Sequence, residues 1–311
     1  MPKDSASERE KVSESFPRQT AATERLPSKT EKIHDLSLEK LQFTAKALLR
    51  KNKESRYNKP IEDYLICDQE NAIFILMDGA TRYVKFGKPY PDPSPASEAA
   101  KLFAECVHQN LVDAPHNTPV KDSLLRSITA ANKLIYEYNR ECFPEVDYLE
   151  RDYANACGFS GVLKDGFLHF AYLADPQGYL IRDGALRAFT HTQTEIIDNL
   201  EKISRKDPSF DVVDFRKYVC SQVRNNKLHE YSFGAFTGEE RALDLLTFGE
   251  VQLQSQDKLI LTTDGLLPLF KYNPQVFYTN NLEFAMDEME KLESQLNIRS
   301  DDKSIITIDI L

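Results

Sequence analysis

The sequence predicts an α+β protein in which clusters of strands alternate with pairs of helices. Three observations support this: short apolar runs are bounded by turn residues, longer segments carry apolar residues at one-face helical spacing, and the two kinds of segment interleave along the chain. This order is typical of two β-sheets packed face to face with helices outside them. With 311 residues, 41% of them hydrophobic, the chain is long enough to bury a sizeable core.

The N-terminal segment differs in composition from the rest of the chain. Residues 1–35 are rich in Ser, Thr, Glu, Lys and Arg and contain almost no aromatic or aliphatic side chains. Such a segment cannot bury enough apolar surface to offset the entropy lost on ordering. We therefore predict a disordered polar tail at 1–35 and a single domain at 36–311.

Composition also narrows the class of partner. The chain has 49 acidic residues against 39 basic ones, which disfavours binding to nucleic acid or to an anionic membrane surface. No apolar stretch approaches the roughly 20 residues that a membrane span requires. Five cysteines, an odd number with no Cys-x-x-Cys pair, favour reduced thiols. We expect a soluble cytoplasmic protein with no nucleic-acid or membrane partner; no pattern predicts an oligomeric state.

The first elements after the tail are a β-hairpin and two helices. Residues 64–67 and 72–77 have the composition of strands and are joined by a polar turn. Residues 97–111 and 121–142 have helical patterns, the second with apolar residues on one face. Prolines at 115 and 119 separate the two predicted helices.

Strands dominate the second half of the chain. Residues 157–190 predict a meander of about four strands, and a helical stretch covers roughly 193–225. Two strands, two helices and a closing strand follow, at residues 243–253, 257–265, 265–272, 281–296 and 304–311.

Asp-Gly occurs at four places, and the surrounding residues divide these into two kinds. Asp165 and Asp183 lie between short apolar runs, where a tight hairpin turn needs residues that tolerate a positive φ. Asp78 and Asp264 follow longer buried runs, "AIFILMDG" and "KLILTTDG", and no returning strand comes directly after them. A carboxylate at the end of a core strand costs free energy unless it is paired, hydrogen-bonded or bound to a cation.

Two further pairs of acids stand at the beginnings of strands. Glu62 and Asp63 precede the first hairpin strand, and Asp301 and Asp302 precede the closing strand. Each acid taken singly also fits a strand-end turn or a helix cap. If the strand ends converge, however, four or more carboxylates meet, and their repulsion requires a cation. Oxygen ligands in that number select Mg²⁺ or Mn²⁺ over zinc.

The order of these motifs resembles that of the metal-dependent protein phosphatases of the 2C type, from about Arg56 to the C-terminus. "IEDYLIC" is similar to the opening acid pair of that family, and "FILMDG" and "LILTTDGL" are similar to its two Asp-Gly strand ends. "CGFSGVL" resembles its small-residue strand, and "SDDKSIITIDIL" its terminal Asp-Asn strand. The resemblance implies a four-layer αββα sandwich of two mostly antiparallel sheets flanked by helix pairs.

The resemblance also implies a binuclear Mg²⁺ or Mn²⁺ centre at one end of the sandwich. In this chain the implied ligands are Glu62, Asp78, the carbonyl of Gly79, Asp264, Asp301 or Asp302 in its place, and Asp175 for a more weakly held third ion. Asp78 would bridge both metals, and Asp78 and Asp264 would be the catalytic residues. The implied reaction is hydrolysis of phosphoserine or phosphothreonine in a protein substrate by a metal-bridging hydroxide.

The sequence departs from that family's pattern at three places. The family usually has Gly-Gly-His shortly after the first Asp-Gly, with the histidine acting as general acid, whereas this chain continues Ala80-Thr81-Arg82-Tyr83. Asn58 stands where the family has a phosphate-binding arginine, so that either Arg56 or Arg82 would have to supply the guanidinium. The usual Gly-Asp-Ser turn reads Ala-Asp-Pro at 174–176.

These departures leave three functional hypotheses open. The retained acids favour an active, divergent serine/threonine phosphatase, because crowded like charges are hard to explain in a chain that never binds metal. The missing histidine favours a pseudophosphatase that binds a phosphoprotein or a kinase without turnover. A third hypothesis keeps the hydrolase and replaces the phosphoprotein with a small phosphoester.

Overall fold

The computed structural model describes residues 42–52, 59–80, 89–149, 151–298 and 301–311. The predicted tail at 1–35 and the positions of Arg56, Asn58 and Arg82 lie outside these described residues. The described strands, in chain order, are β1 (Phe43–Arg50), β2 (Tyr64–Asp68), β3 (Ile73–Gly79), β4 (Ala156–Lys164), β5 (Phe167–Leu173), β6 (Gln177–Arg182), β7 (Ala185–Ala188), β8 (Thr247–Gln252), β9 (Lys258–Thr262) and β10 (Lys303–Ile310).

The described helices connect and cover the strands. The α-helices are α1 (Pro95–Val112), α2 (Val120–Cys142), α3 (Glu195–Ser204), α4 (Val212–Tyr218), α5 (Leu267–Tyr272) and α6 (Leu282–Leu296). A π-helical turn at Val219–Val223 continues α4, and short 3₁₀ helices cover Glu240–Leu245, Asp264–Leu266 and Pro274–Tyr278. None of these described helices is long and apolar enough to traverse a lipid bilayer.

The strands form two antiparallel five-stranded sheets. The first sheet has the order β2-β3-β4-β5-β8, and the second has the order β1-β10-β9-β6-β7. The prediction of two antiparallel sheets with helices outside them is therefore confirmed. The sheets enclose a core that contains Phe74, Leu76 and Phe159 from the first sheet and Leu261 and Ile306 from the second.

Two further apolar layers lie outside the sheets and complete the four-layer sandwich. Ile75 and Met77 of β3 pack against Phe103 of α1 and Ile128 of α2. On the second sheet, a layer that includes Ile305 packs against α5 and α6. Successive side chains of a strand point to opposite faces, so β3 is apolar from Ile73 to Met77 because both of its faces are buried there.

Three details differ from the sequence-based expectations. The four strands predicted within 157–190 exist, but β4 and β5 belong to the first sheet while β6 and β7 belong to the second, so they do not form one meander. The stretch predicted as helical at 193–225 is interrupted between α3 and α4, a segment that contains Pro208. Strand β1 was not predicted, because its alternation is weak and it is only partly buried at the edge of its sheet.

Candidate metal centre

Strand register brings the predicted acids to one edge of the sandwich. Asp78 lies near the end of β3 in the first sheet, and Asp264 lies two residues after the end of β9 in the second sheet. Tyr64 pairs with Met77, which places Glu62 and Asp63 beside the end of β3. Ile305 and Gln177 both pair with Thr262, so the segments carrying Asp301 and Asp175 flank the end of β9.

Glycine at the end of β3 allows a close approach between two backbones. The amide of Gly79 donates to the carbonyl of Glu62 at 3.1 Å. A β-carbon on Gly79 would lie 2.7 Å from that carbonyl oxygen and 2.6 Å from the carbonyl oxygen of Ala96. A side chain at position 79 would therefore push the first acid pair away from Asp78.

The other two Asp-Gly pairs serve a different purpose, as predicted. Asp165 and Asp183 each have a φ of 52°, and the glycines that follow them also have positive φ, 81° at Gly166 and 73° at Gly184. Nothing lies within 4 Å of a β-carbon built on either glycine. These pairs form the tight turns of the β4–β5 and β6–β7 hairpins.

Asp78 and Asp264 form the centre of the acid cluster. The two carboxyl groups are close enough for each to influence the other's protonation. Burial, followed by the charges of neighbouring acids, raises the pKa of both carboxyls well above the ordinary value; Asp63 acts most strongly on Asp78, and Asp175 on Asp264. Both residues keep part of their surface exposed at the adjoining cavities, so they are not sealed from solvent. Such a cluster requires protons or cations to offset its charge.

Asp63 is a member of the cluster that the sequence analysis did not assign to the site. It is 5% exposed, and its Oδ2 accepts hydrogen bonds from Thr263 Oγ1 at 2.9 Å and Ser304 Oγ at 2.7 Å. Burial raises the pKa of Asp63 to about 7, although these two hydrogen bonds oppose the shift. The acid pair at 62–63 gave the only signal in the sequence, and which of the two faces Asp78 depends on how the chain enters β2.

Glu62 is held by protein donors on both of its oxygens. Oε1 accepts hydrogen bonds from the hydroxyl groups of Tyr90, at 2.6 Å, and Ser94, while Oε2 accepts from Lys59 Nζ at 2.8 Å. Ser94 also caps the N-terminus of α1, where its Oγ accepts from the amide of Ala96 at 3.2 Å. The role of Glu62 as a metal ligand stays a prediction.

The two acids before β10 have different environments. Asp302 is 2% exposed, and its carboxylate accepts from the backbone amides of Asn52 at 2.8 Å and Glu62 at 2.9 Å. The Asp301 side chain keeps 39% of its surface exposed and lines the cavity beside Asp78. Of the two alternatives, the geometry favours Asp301 as the acid that faces a ligand, because Asp302 already holds two chain segments together.

Asp175 lies between the two sheets on the link from β5 to β6. It follows Ala174, whose φ of 68° turns the chain sharply. Its carboxylate accepts from Thr194 Oγ1 at 3.1 Å and from the Cys157 thiol at 3.4 Å. Burial, opposed by these hydrogen bonds, raises the pKa of Asp175. The thiol is a weak donor, so this carboxylate retains acceptor capacity for a cation.

Two cavities open beside the cluster. One of about 260 Å³ is lined by Asp78, Gly79, Asp175 and Asp301, and the other, of about 390 Å³, by Asp175 and Asp264. Arg216 of α4 lines both of them. Sequence reasoning missed Arg216, because nothing in the pattern of α4 indicates which of its faces meets the acids.

The chemistry of the donor set fits a hard divalent cation. The acids that line the two cavities offer carboxylate oxygens, which Mg²⁺ and Mn²⁺ prefer. Within the described ranges, no three His, Cys, Asp or Glu side chains are already grouped as a metal-binding set. Binding would therefore need the carboxylates to turn toward the ion.

Structural comparison identifies the fold. No protein-family model matches the sequence, and no curated protein matches it. Among solved structures, the chain is similar to the catalytic domain of the serine/threonine protein phosphatase PstP in complex with two manganese ions, at 16% identity and a TM-score of 0.59 over 86% of this chain and 98% of that one. It is similar to the S. agalactiae serine/threonine phosphatase at 13% identity and a TM-score of 0.59, over 86% and 99% of the two chains.

A third similar structure is PppA, a regulatory component of the T6SS in Pseudomonas aeruginosa, at 12% identity and a TM-score of 0.58 over 87% and 99% of the two chains. These likenesses define the class of fold. The chain has the fold of the PPM-type, or 2C-type, serine/threonine phosphatases, from which its sequence has diverged widely. The fold that the motif order implied is therefore confirmed.

Proposed function

We propose that this protein is a divergent metal-dependent protein serine/threonine phosphatase that acts on a cytoplasmic phosphoprotein. The observation that carries the proposal is the meeting of Asp78 and Asp264, which come from different sheets and line adjoining cavities that share Asp175. Packing of the two sheets does not require both buried strands to end in an acid at the same point. Repulsion between the two acids opposes such an arrangement.

In the proposed site, Asp78 and Asp264 lie at the centre of the metal ligands. When bound, Mg²⁺ or Mn²⁺ would activate water for in-line attack on phosphorus and neutralise charge on the transferring phosphoryl group. Asp78 and Asp264 would hold the cation from the two sheets, and Asp301 would face it from the closing strand. Asp175 would offer a further, weaker position.

Arg216 is our candidate for orienting the substrate phosphate. In the described part of the chain it is the arginine that lines both cavities beside the acids. A guanidinium can form two parallel hydrogen bonds to a phosphate. Arg56 and Arg82 remain alternatives from the sequence, and both lie outside the described residues.

The test is hydrolysis of an aryl phosphate and of a phosphoserine peptide with Mn²⁺, with and without chelator. We expect Asp78→Asn and Asp264→Asn each to lower the rate on the order of 100-fold or more, because each removes an anionic ligand. Asp183→Asn is the matched control, since it changes an Asp-Gly aspartate in a hairpin turn and should keep the rate. Equal rates in all three variants, or no metal-dependent hydrolysis, would refute the proposal.

A binding module without turnover is the second candidate. No histidine occurs in residues 80–83, where the resemblance would place a general acid, and Lys59 pairs with Glu62 and Asp301. This hypothesis predicts that a phosphoserine peptide binds and that it is not hydrolysed, with or without Mn²⁺. Metal-dependent hydrolysis of the peptide would exclude it.

A further inference from the structure

Lys59 places a buried positive charge among the predicted metal ligands. Its Nζ lies 2.8 Å from Glu62 Oε2, 3.2 Å from Asp301 Oδ1 and 3.8 Å from Asp302 Oδ2. The residue is only 5% exposed. Burying an ammonium group costs several kcal/mol unless fixed anions compensate for the lost hydration, so these three carboxylates are partners that Lys59 requires.

The acids on the Lys59 side of the cluster have little acceptor capacity left for a metal. Both oxygens of Glu62 already accept hydrogen bonds, Oε1 from Tyr90 and Ser94 and Oε2 from Lys59. Both oxygens of Asp302 accept from backbone amides. A divalent ion that used these groups would have to displace the ammonium and break the hydrogen bonds that position the first acid pair.

The acids farther from Lys59 have more capacity to bind a metal. Asp78, Asp175 and Asp264 line the cavities, keep part of their surface exposed, and repel one another. Asp175 accepts hydrogen bonds from a hydroxyl and a thiol, and within the described residues the guanidinium of Arg216 lines both cavities. This half of the cluster therefore has the space for a divalent ion, and its three carboxylates exceed the single positive charge of Arg216.

From this division we infer that the Lys59 ammonium takes the place of one divalent ion, so that the centre binds one ion fewer than the two that the resemblance implies. The inference rests on the proposed function, because it concerns the metal content of the same site. One ion would be held by the half containing Asp78, Asp175 and Asp264. Lys59 would supply a fixed charge of +1 beside Asp301 and would act as a positioning residue.

The experiment counts ions on the full-length protein. We would strip it with chelator, titrate it with Mn²⁺, and follow bound metal by calorimetry and electron paramagnetic resonance. Wild type should bind one strongly held Mn²⁺ with the six-line spectrum of an isolated ion. Lys59→Met should bind one additional Mn²⁺ and show a spin-coupled spectrum, while Lys59→Arg should behave like wild type.

Lys258→Met is the matched control for removing a buried lysine. Lys258 is 8% exposed and donates to the carbonyl of Thr279 at 2.8 Å, at the opposite end of β9 from Asp264. Its loss should leave the number of bound ions unchanged. Thermal unfolding of each variant with and without Mn²⁺ shows which are folded, and Mn²⁺ should raise the Tm of Lys59→Met by more than that of wild type.

Glu62→Gln tests the inference if Lys59→Met does not fold. The number of Mn²⁺ ions bound should stay at one, and the Kd should change by less than about threefold, because Glu62 bonds to protein donors. Loss of an ion in Glu62→Gln, or two spin-coupled ions in wild type, would overturn the inference. So would a folded Lys59→Met with the wild-type number of ions.

The two proposals fail in different ways. A wild-type chain that binds one Mn²⁺ and hydrolyses no phosphoester would overturn the proposed function and support the role of Lys59. A chain that hydrolyses phosphoserine with two coupled ions would support the proposed function and overturn the role of Lys59. A wild type that binds no Mn²⁺ would overturn both.

Discussion

The backbone of Gly265 lies so close to that of Asp302 that a β-carbon at position 265 would be 1.9 Å from the Asp302 carbonyl oxygen. The segment that carries Asp301 and Asp302 therefore passes directly over the second Asp-Gly pair. Gly79 and Glu62 have the same relationship at the first pair. Two glycines thus allow four acid-bearing segments to meet at one edge of the sandwich.

We predict that Gly265→Ala destabilises the protein more than Gly184→Ala does. The first substitution forces two backbones apart, and overpacking of this kind costs typically 1–3 kcal/mol, so about 3 kcal/mol is expected for a backbone contact. Position 184 has open space and a φ of 73°, so alanine there should cost about 1 kcal/mol. Urea unfolding measures both free energies, and equal losses would contradict the close approach.

We predict that Arg216→Gln weakens the binding of phosphate. Loss of a charged donor to phosphate removes about 1.5–3 kcal/mol, which corresponds to at least about a tenfold increase in the inhibition constant of inorganic phosphate. Arg205→Gln is the control, because Arg205 lines only the larger cavity and pairs with Glu201. Identical inhibition constants for wild type and Arg216→Gln would remove Arg216 from the site.

A buried ion pair beside the larger cavity should contribute strongly to stability. Arg224 is 4% exposed and forms two hydrogen bonds to Asp152, at 2.8 and 3.0 Å. Arg224→Met leaves the Asp152 carboxylate without these bonds and should lower the free energy of unfolding by about 3–5 kcal/mol. Glu201→Gln, which removes the more exposed pair with Arg205, should cost less than about 1 kcal/mol.

Chemical denaturation of the two variants tests this difference. Similar losses would show that burial of the Arg224–Asp152 pair does not determine its contribution. A double variant, Asp152→Asn with Arg224→Met, should be less destabilised than the sum of the single variants, since the second change removes the uncompensated charge.

Stability should fall in acid as the Asp68 carboxyl becomes protonated. Burial would raise its pKa, but hydrogen bonds from the side chain and backbone of Asn71 and from His108 outweigh burial and lower it to about 2. A carboxyl with a depressed pKa in the folded state stabilises the fold above its unfolded pKa of about 4, and this stabilisation is lost as pH falls toward 2. Because solvent screens this partly exposed site, its contribution at neutral pH should be about 1 kcal/mol or less.

The measurement is the free energy of unfolding of wild type and Asp68→Asn from pH 7 to pH 2. The difference between them should be largest at neutral pH and should close between about pH 4 and pH 2. Asp165→Asn, in the β4–β5 turn, serves as the control for an aspartate without a histidine partner. A difference that does not change with pH would contradict an electrostatic role for Asp68.

Local patterns in the sequence predicted most of the elements. The one-face spacing of α2 and the apolar run of β3 follow from which faces are buried. The two kinds of Asp-Gly were also separable, because hairpin turns require flanking strands on both sides. The passage from the first sheet to the second between β5 and β6 was not predictable, because the turn residues at 174–176 are compatible with a hairpin in either arrangement.

The site was predictable in part. Asp78 and Asp264 could be chosen from the sequence because an acid that ends a buried strand needs a partner. Lys59, Asp63 and Arg216 could not be chosen, because a charged residue near an acid in sequence, or on a short helix, gives no indication of the direction in which its side chain points.

The sequence by itself determined the alternation of strands and helices, the burial of β3 and the existence of acids at strand ends that need a compensating partner. These properties depend on local periodicity and on the cost of burying charge, which are the same wherever the segment lies. Only the tertiary structure decided that Asp63 faces Asp78 and that Lys59 neutralises Glu62. Those choices depend on the path by which distant segments approach one another, because the energy of a charge inside a protein is set by neighbours that the chain brings in from far away.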